Sequence, residues 1–292
     1  MRWRGREKSR HVEDRRGARG PGRGPRTVGG LGGIVILIVA VVALYNGVDP
    51  RPFLDAVGQQ PAANQPAAAG SGIEDDHREF VEVVLRDTEK VWERLFDEQV
   101  SGASYRPPKL VLFSHRVATG CGMAGSETGP FYCPPDETIY IDPAFFGEME
   151  RRLKAPGDFA QAYVIAHEVA HHVQELTGLN RFINRARMTR DPTTINRASV
   201  RYELQADYLA GVWAHHARRQ FNILEEGDIS EAINAANRIG DDTLQRMSTG
   251  VVIPERFTHG TSAQRVRWFK AGLESGDLNG CQQLFEIDYD QL

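Results

Sequence analysis

Cysteine is scarce in this chain: three in 292 residues, with no C-x-x-C pair. That excludes a thiolate metal cluster of the zinc-finger kind. No internal repeat is present, which excludes a solenoid or propeller. Proline is missing from residues 159–177, so nothing there breaks a long helix. Charge is missing from Leu31 to Leu44, an unbroken run of apolar residues and glycine. A buried core segment fits that run badly, because an arginine-rich arm precedes it.

The net charge of −4 is unevenly spread. Residues 1–28 hold ten Lys or Arg and three acids, a net +7, which leaves −11 for the rest. A basic arm can bind nucleic acid or mark membrane topology. Glycine and proline interleave this one and no folded reader follows, so no nucleic-acid partner is expected. With its flanks the apolar run supplies about 20 residues, enough to cross a bilayer at 1.5 Å each. Residues 1–28 are therefore expected as a basic cytoplasmic arm and residues 29–48 as a transmembrane anchor, with the remainder outside. A cleaved signal peptide is the alternative. It is weakened by the long basic region and by Ala43-Leu44-Tyr45-Asn46, a poor cleavage site. Residues 49–74, rich in Gln, Pro and Ala, read as a flexible linker. Residues 75–292 are long enough for one domain with one core. Cys121 and Cys133 enclose a Gly-rich loop, and a disulfide there suits an oxidising compartment and contributes about 3 kcal/mol. Cys281 is left over, either buried and free or pairing elsewhere.

The chemistry sits in His167-Glu168-Val169-Ala170-His171, inside an apolar helical stretch from Phe159 to about Thr177 that Gly178 closes. Residues four apart share a helix face, so His167 and His171 can present two imidazoles to one ion, with Glu168 at its edge. This H-E-x-x-H spacing suits Zn²⁺, with the glutamate as general base. The plain alternative is a pair of hydrogen-bonded core histidines. A catalytic zinc usually has a third protein ligand. Glu203 and Asp207 share a face of a second helix, about Ser199 to Arg219. Glu203 is the economical third ligand, and Asp207 the acceptor that holds a ligand imidazole by its other N–H. The alternative is an ordinary solvated acidic pair. His172 points about 100° away from His171 and reads as a supporting or packing residue. His215 and His216 read as surface or helix-end residues.

These stretches resemble the neutral zinc metallopeptidase family (the YpfJ-like proteins). The resemblance rests on His167 to His172, on Glu203-Leu204-Gln205-Ala206-Asp207, and on three further stretches. They are Met1 to Gly5 with Val12 to Gly17, Gly129-Pro130-Phe131-Tyr132-Cys133-Pro134, and Phe257 to Val266. His11 departs from the family pattern, where Asn is expected. The Glu203/Asp207 pair is similar to the glutamate-ligand branch of the H-E-x-x-H peptidases. The resemblance implies a metallopeptidase more strongly than it implies any substrate.

The expected fold is α+β and mainly helical: a zincin-like H-E-x-x-H domain with a small sheet, preceded by one transmembrane helix. Phe80 to Phe96 repeat apolar residues at helical spacing with acids opposite. Lys109–Phe113 and Thr138–Asp142 read as strands. Thr138–Asp142 is a candidate edge strand for pairing with an extended peptide; plain sheet structure is the alternative. Ser230 opens a helix to about Met247, and Thr261 with Gln264 caps another. His259, just before that cap, is a candidate for binding the oxyanion; a capping or packing role is the alternative.

Together these expectations describe a membrane-anchored zinc metalloendopeptidase in the bacterial inner membrane. It spans once, its domain faces away from the cytoplasm, and it acts on a peptide or protein substrate. The residues expected to act are His167, His171 and Glu203 on zinc, Glu168 as general base, His259 at the oxyanion and Asp207 behind a ligand. A non-catalytic zinc-containing scaffold and a non-peptidase hydrolase are the other readings. Oligomeric state and substrate specificity are not legible.

Overall fold

The computed structural model describes residues 1–17 and 72–292. The expected anchor, residues 29–48, lies outside the described residues, as does the linker up to residue 71. Among the described residues no helix is long and apolar enough to cross a membrane.

Six strands and eight helices carry the described chain. They are β1 (Val12–Asp14), α1 (Gly72–Gln99), β2 (Lys109–Leu112), β3 (Arg116–Thr119), β4 (Gly122–Gly125), β5 (Phe131–Cys133) and β6 (Thr138–Ile141). Then follow α2 (Ala144–Arg151), α3 (Asp158–Thr177), α4 (Arg181–Thr189), α5 (Pro192–Phe221), α6 (Asp228–Arg238), α7 (Asp241–Thr249) and α8 (Ser262–Ser275). The architecture is mainly helical with a small sheet, as expected. The four-stranded sheet runs β1-β2-β6-β5, and β3 pairs only with β4 in a separate hairpin. β1, β2 and β6 are parallel, and β5 is antiparallel to β6. All four residues of β6 are buried, as an interior strand requires. The edge role expected of Thr138–Asp142 is therefore corrected: β2 and β5 occupy both sides of β6, and the edges are β1 and β5.

The core lies between helices. Phe159 of α3 stacks on Trp213 of α5, with ring centroids 5.9 Å apart. α5 and α8 meet backbone to backbone. A Cβ on Gly211 would stand 2.1 Å from the Phe269 carbonyl oxygen, and one on Gly272 1.9 Å from that of Tyr208. Only glycine permits that approach, and it brings the second half of α8 against the middle of α5. The helix expected from Ser230 to Met247 is two helices, because the chain turns at Gly240. There a Cβ would stand 2.3 Å from the Ser262 nitrogen.

The N-terminal residues are not a free arm. Met1–Arg16 form one compact unit with Ile73–Leu292. β1 pairs with β2 in register Val12 to Leu110, and the Trp3 ring meets Phe80 edge-on at 5.4 Å. Charges interlock along α1. Arg6 chelates the buried Asp87 at 2.7 and 3.1 Å. Arg4 pairs with Asp76, Lys8 with Glu79, and Glu7 with Arg86 and Lys90. His11, the departure from the family pattern, sits 2.9 Å from the buried Glu89. Residues 1–16, expected as the start of a cytoplasmic arm, are built into the domain's own sheet. A single crossing between residues 16 and 73 would put β1 and β2 on opposite faces of about 30 Å of hydrocarbon. A backbone ladder cannot bridge that distance.

Candidate metal centre

α3 forms because residues 158–177 contain no proline or glycine and many good helix formers such as Ala, Glu, Gln and Leu, and Gly178 ends it with φ 71°. Helical spacing places His167 and His171 on one face, and the imidazole centroids lie 4.9 Å apart. α5 begins at a proline, with the Asp191 side chain accepting from the Thr194 N–H, and runs 30 residues, earlier and later than expected. Its middle carries Glu203 and Asp207 across from α3.

The hydrogen bonds fix both imidazole tautomers. His167 Nδ1 is 2.9 Å from Asp207 Oδ1, which only accepts, so Nδ1 bears the proton. His171 Nδ1 is 2.8 Å from Gln174 Oε1. That amide is oriented by its own nitrogen, which donates to the Tyr202 carbonyl and to Gln205 Oε1 at 2.8 Å each. Both Nε2 lone pairs then face Glu203 Oε2, at 3.1 Å from His167 and 3.6 Å from His171. Lone pairs aimed at a carboxylate repel unless a cation or proton lies between. A tetrahedral ion with bonds of about 2.0–2.1 Å holds its ligand atoms about 3.3 Å apart. The donor set and its spacing fit zinc, and the three residues form a metal-sized group.

The electrostatics agree. Burial pushes Glu203 up, but His171 and His167 more than offset it and hold the carboxylate well below its usual range. Burial pulls His167 down, while Asp207 and Glu203 raise it to about 9. The cluster is built to hold positive charge.

Asp207 is fully buried. Arg265 grips both its oxygens at 2.8 and 2.9 Å, and the Tyr163 hydroxyl donates to Oδ1. Desolvation opposes its charge, but Arg265 and His167 lower its pKa to about 2. Arg265 and Tyr163 escaped the sequence reading. The only signal was a charged residue inside the apolar face of α8, where a buried arginine needs a buried acid.

Glu168 is not brought to the ligand trio but stands beside it, buried at the cleft floor. Desolvation raises its pKa; the Tyr132 backbone N–H and the two histidines oppose the rise. The cleft encloses about 950 Å³. Phe131, Phe145, Leu153 and Val164 are among its apolar lining, and Glu175, Asn184 and Arg187 among its polar lining.

His259 also lines this cleft, half-exposed. The turn at Gly240 accounts for its position. Asp241 accepts backbone N–H bonds from Thr258, His259 and Gly260, and its other oxygen is 3.2 Å from His259 Nδ1. Burial lowers the imidazole pKa, but Asp241 and Glu203 leave it raised overall. Thr261 and Gln264 form the expected capping box just beyond.

The remaining histidines stand apart from the trio. His172 is fully buried and bonded to Tyr132 and to the Arg106 carbonyl. His215 and His216 bond the Leu273 and Gly276 carbonyls at the end of α8. Cys121 and Cys133 form the expected disulfide, while Cys281 is free and buried. A second acidic group, Asp158, Asp228 and Glu231, is occupied from within: the Met1 amino group lies 2.6 Å from Asp158 and 3.3 Å from Asp228.

The profile of a family described as "Putative neutral zinc metallopeptidase" matches residues 1–284. The YpfJ protein of Escherichia coli (strain K12) is 47% identical over 285 residues, covering 96% of this chain and 98% of that protein. The Rv2575 protein of Mycobacterium tuberculosis (strain H37Rv) is 39% identical over 266 residues, 84% of this chain and 86% of its own. No solved structure matches. A zinc-type ligand trio beside a buried carboxylate and a match across nearly the whole chain lead to one conclusion: this protein belongs to the neutral zinc metallopeptidase family.

Proposed function

We propose that the chain is a zinc endopeptidase with Glu168 as general base. The observation that carries this reading is the convergence of His167 Nε2, His171 Nε2 and Glu203 Oε2 next to the uncoordinated Glu168. Zinc, when bound, supplies Lewis acidity to a carbonyl oxygen and makes a neighbouring water a readier proton donor. Glu168 takes the proton of that water and delivers it to the leaving amine. Its raised pKa suits both halves of the task. Asp207, clamped by Arg265, holds the His167 ring in its ligating tautomer. His259, whose charged form is favoured by its contact with Asp241, faces the oxyanion that forms from the carbonyl.

The substrate in this reading is an extended peptide laid along the free edge of β5. That strand lines the cleft, and the Tyr132 amide acts on Glu168. For the compartment, the Cys121–Cys133 disulfide and the apolar run at 31–44 support a membrane-associated protein facing away from the cytoplasm. Residues 1–16 then share the side of the catalytic domain.

The test incubates the zinc-loaded full chain with unfolded casein, with and without chelator, alongside Glu168→Gln. Hydrolysis should stop with chelator. In the variant it should fall about 10²–10⁴-fold while zinc is retained. A variant that cleaves like wild type contradicts the general-base assignment.

A further inference from the structure

We propose that the Tyr132–His172 pair is a positioning device that aims the free edge of β5 at the reacting carbonyl. The inference rests on the peptidase reading above. It concerns two residues outside both the ligand set and the proton transfer.

His172 follows the ligand His171 by one position, so it leaves α3 about 100° away and points toward the sheet. It is fully buried. Its Nε2 is 2.7 Å from the Arg106 carbonyl oxygen, which accepts only, so Nε2 carries the proton. Nδ1 is then a bare acceptor, and the Tyr132 hydroxyl donates to it at 2.9 Å. A neutral imidazole satisfies both contacts, with the hydroxyl donating and the carbonyl accepting. The two rings meet edge to face, with centroids 5.4 Å apart.

Tyr132 is the middle residue of β5. Its side chain reaches α3 while its backbone lies along the cleft that holds Glu168. Its neighbours are tied down separately: Phe131 stacks on Tyr140 at 5.3 Å, and Cys133 is bonded to Cys121. Those ties fix β5 to the sheet and the hairpin loop, not to α3. The Tyr132–His172 bond joins the strand to the helix bearing the base through two side chains, beside the Tyr132 backbone N–H that acts on Glu168 itself. Removing it leaves strand and ligands intact but loosens the distance between the docking edge and Glu168. A long peptide, which pairs along the strand, must feel that loss. A minimal substrate that spans only the scissile bond must not.

The experiment compares the zinc-loaded full chain with Tyr132→Phe, which keeps the ring and removes one hydroxyl, and with His172→Phe and the double variant. Two probes are used: an octapeptide drawn from the casein digest and a blocked dipeptide spanning its cleaved bond. Tyr132→Phe should raise KM for the octapeptide so that kcat/KM falls about tenfold, the size of one lost neutral hydrogen bond. The dipeptide should stay within about twofold, and zinc content should be unchanged. The double variant should be no worse than the worse single one, because both remove the same bond. Calorimetry gives a second readout: in an inert Glu168→Gln background, Tyr132→Phe should weaken octapeptide binding by the same factor. If octapeptide and dipeptide suffer equally, if Tyr132→Phe leaves KM and binding unchanged, or if the two substitutions multiply independently, the inference is overturned. A wild-type chain with no chelator-sensitive cleavage of either probe instead removes the peptidase reading on which it stands.

Discussion

The metal centre and the N-terminal strap are both held by charged side chains, yet only one of them can be read along the chain. In α3 the ligands lie four residues apart, and the helix repeat alone makes them neighbours. In the strap, Arg4, Arg6 and Lys8 find Asp76, Asp87 and Glu79 some seventy to eighty positions later. Each segment taken alone looks solvated: a basic arm on one side, the acidic face of an amphipathic helix on the other. Together they neutralise each other and close a sheet. Complementary charge in two distant segments is therefore a contact signal that neither segment shows by itself.

Membrane topology breaks or sharpens this contrast most strongly. Single cysteines at Arg10 and at the exposed Met188 probe the strap and the domain. The native thiols give little background, because Cys281 is buried and the other two are bonded to each other. A membrane-impermeant maleimide applied to intact spheroplasts should label both positions or neither. Labelling of one alone, with the other protected until lysis, would show the strap undocked and the arm on the far side.

Stability is next. Arg6→Ala strands the Asp87 carboxylate, which is 1% exposed. Breaking a fully buried pair costs about 3–5 kcal/mol. Arg6 itself is 24% exposed, so about 2 kcal/mol is the fair figure. For a domain of this size that lowers Tm by roughly 4–8 °C, with Arg10→Ala as an unchanged control. A melt that does not move would mean the strap adds nothing to the fold.

The smallest effect belongs to the cleft. Asp241 raises the His259 pKa, so the charged imidazole persists to higher pH than it otherwise would. If the charged form serves the oxyanion, activity is present below that pKa and lost as pH rises through it. Asp241→Asn lowers the pKa and should move the basic limb of kcat to lower pH. A basic limb that stays in place in this variant would assign it to another group.

Much of the site was legible because its chemistry is local. His167, Glu168 and His171 are set by one helix, and Glu203 with Asp207 by another; the capping box at Thr261 is likewise local. What escaped depends on tertiary approach. Arg265 reaches Asp207 only because Gly211 and Gly272 let α5 and α8 touch. The edge strand expected at Thr138–Asp142 is interior, since strand order is a property of the sheet and not of any strand. The long helix expected from Ser230 divides at Gly240, where the backbone is extended, and a glycine sits there because the Ser262 backbone leaves no room for a side chain.

The central claim is that one ion is gripped by two turns of α3 and one carboxylate of α5. Metal content of the purified full chain and of Glu203→Ala, measured after dialysis against a graded zinc buffer, tests it most directly. The account predicts one zinc per wild-type chain and at least about tenfold to hundredfold weaker retention in the variant, with its melting curve otherwise preserved in excess zinc. A wild-type chain that binds no zinc, or a variant that holds it as tightly as wild type, would contradict it.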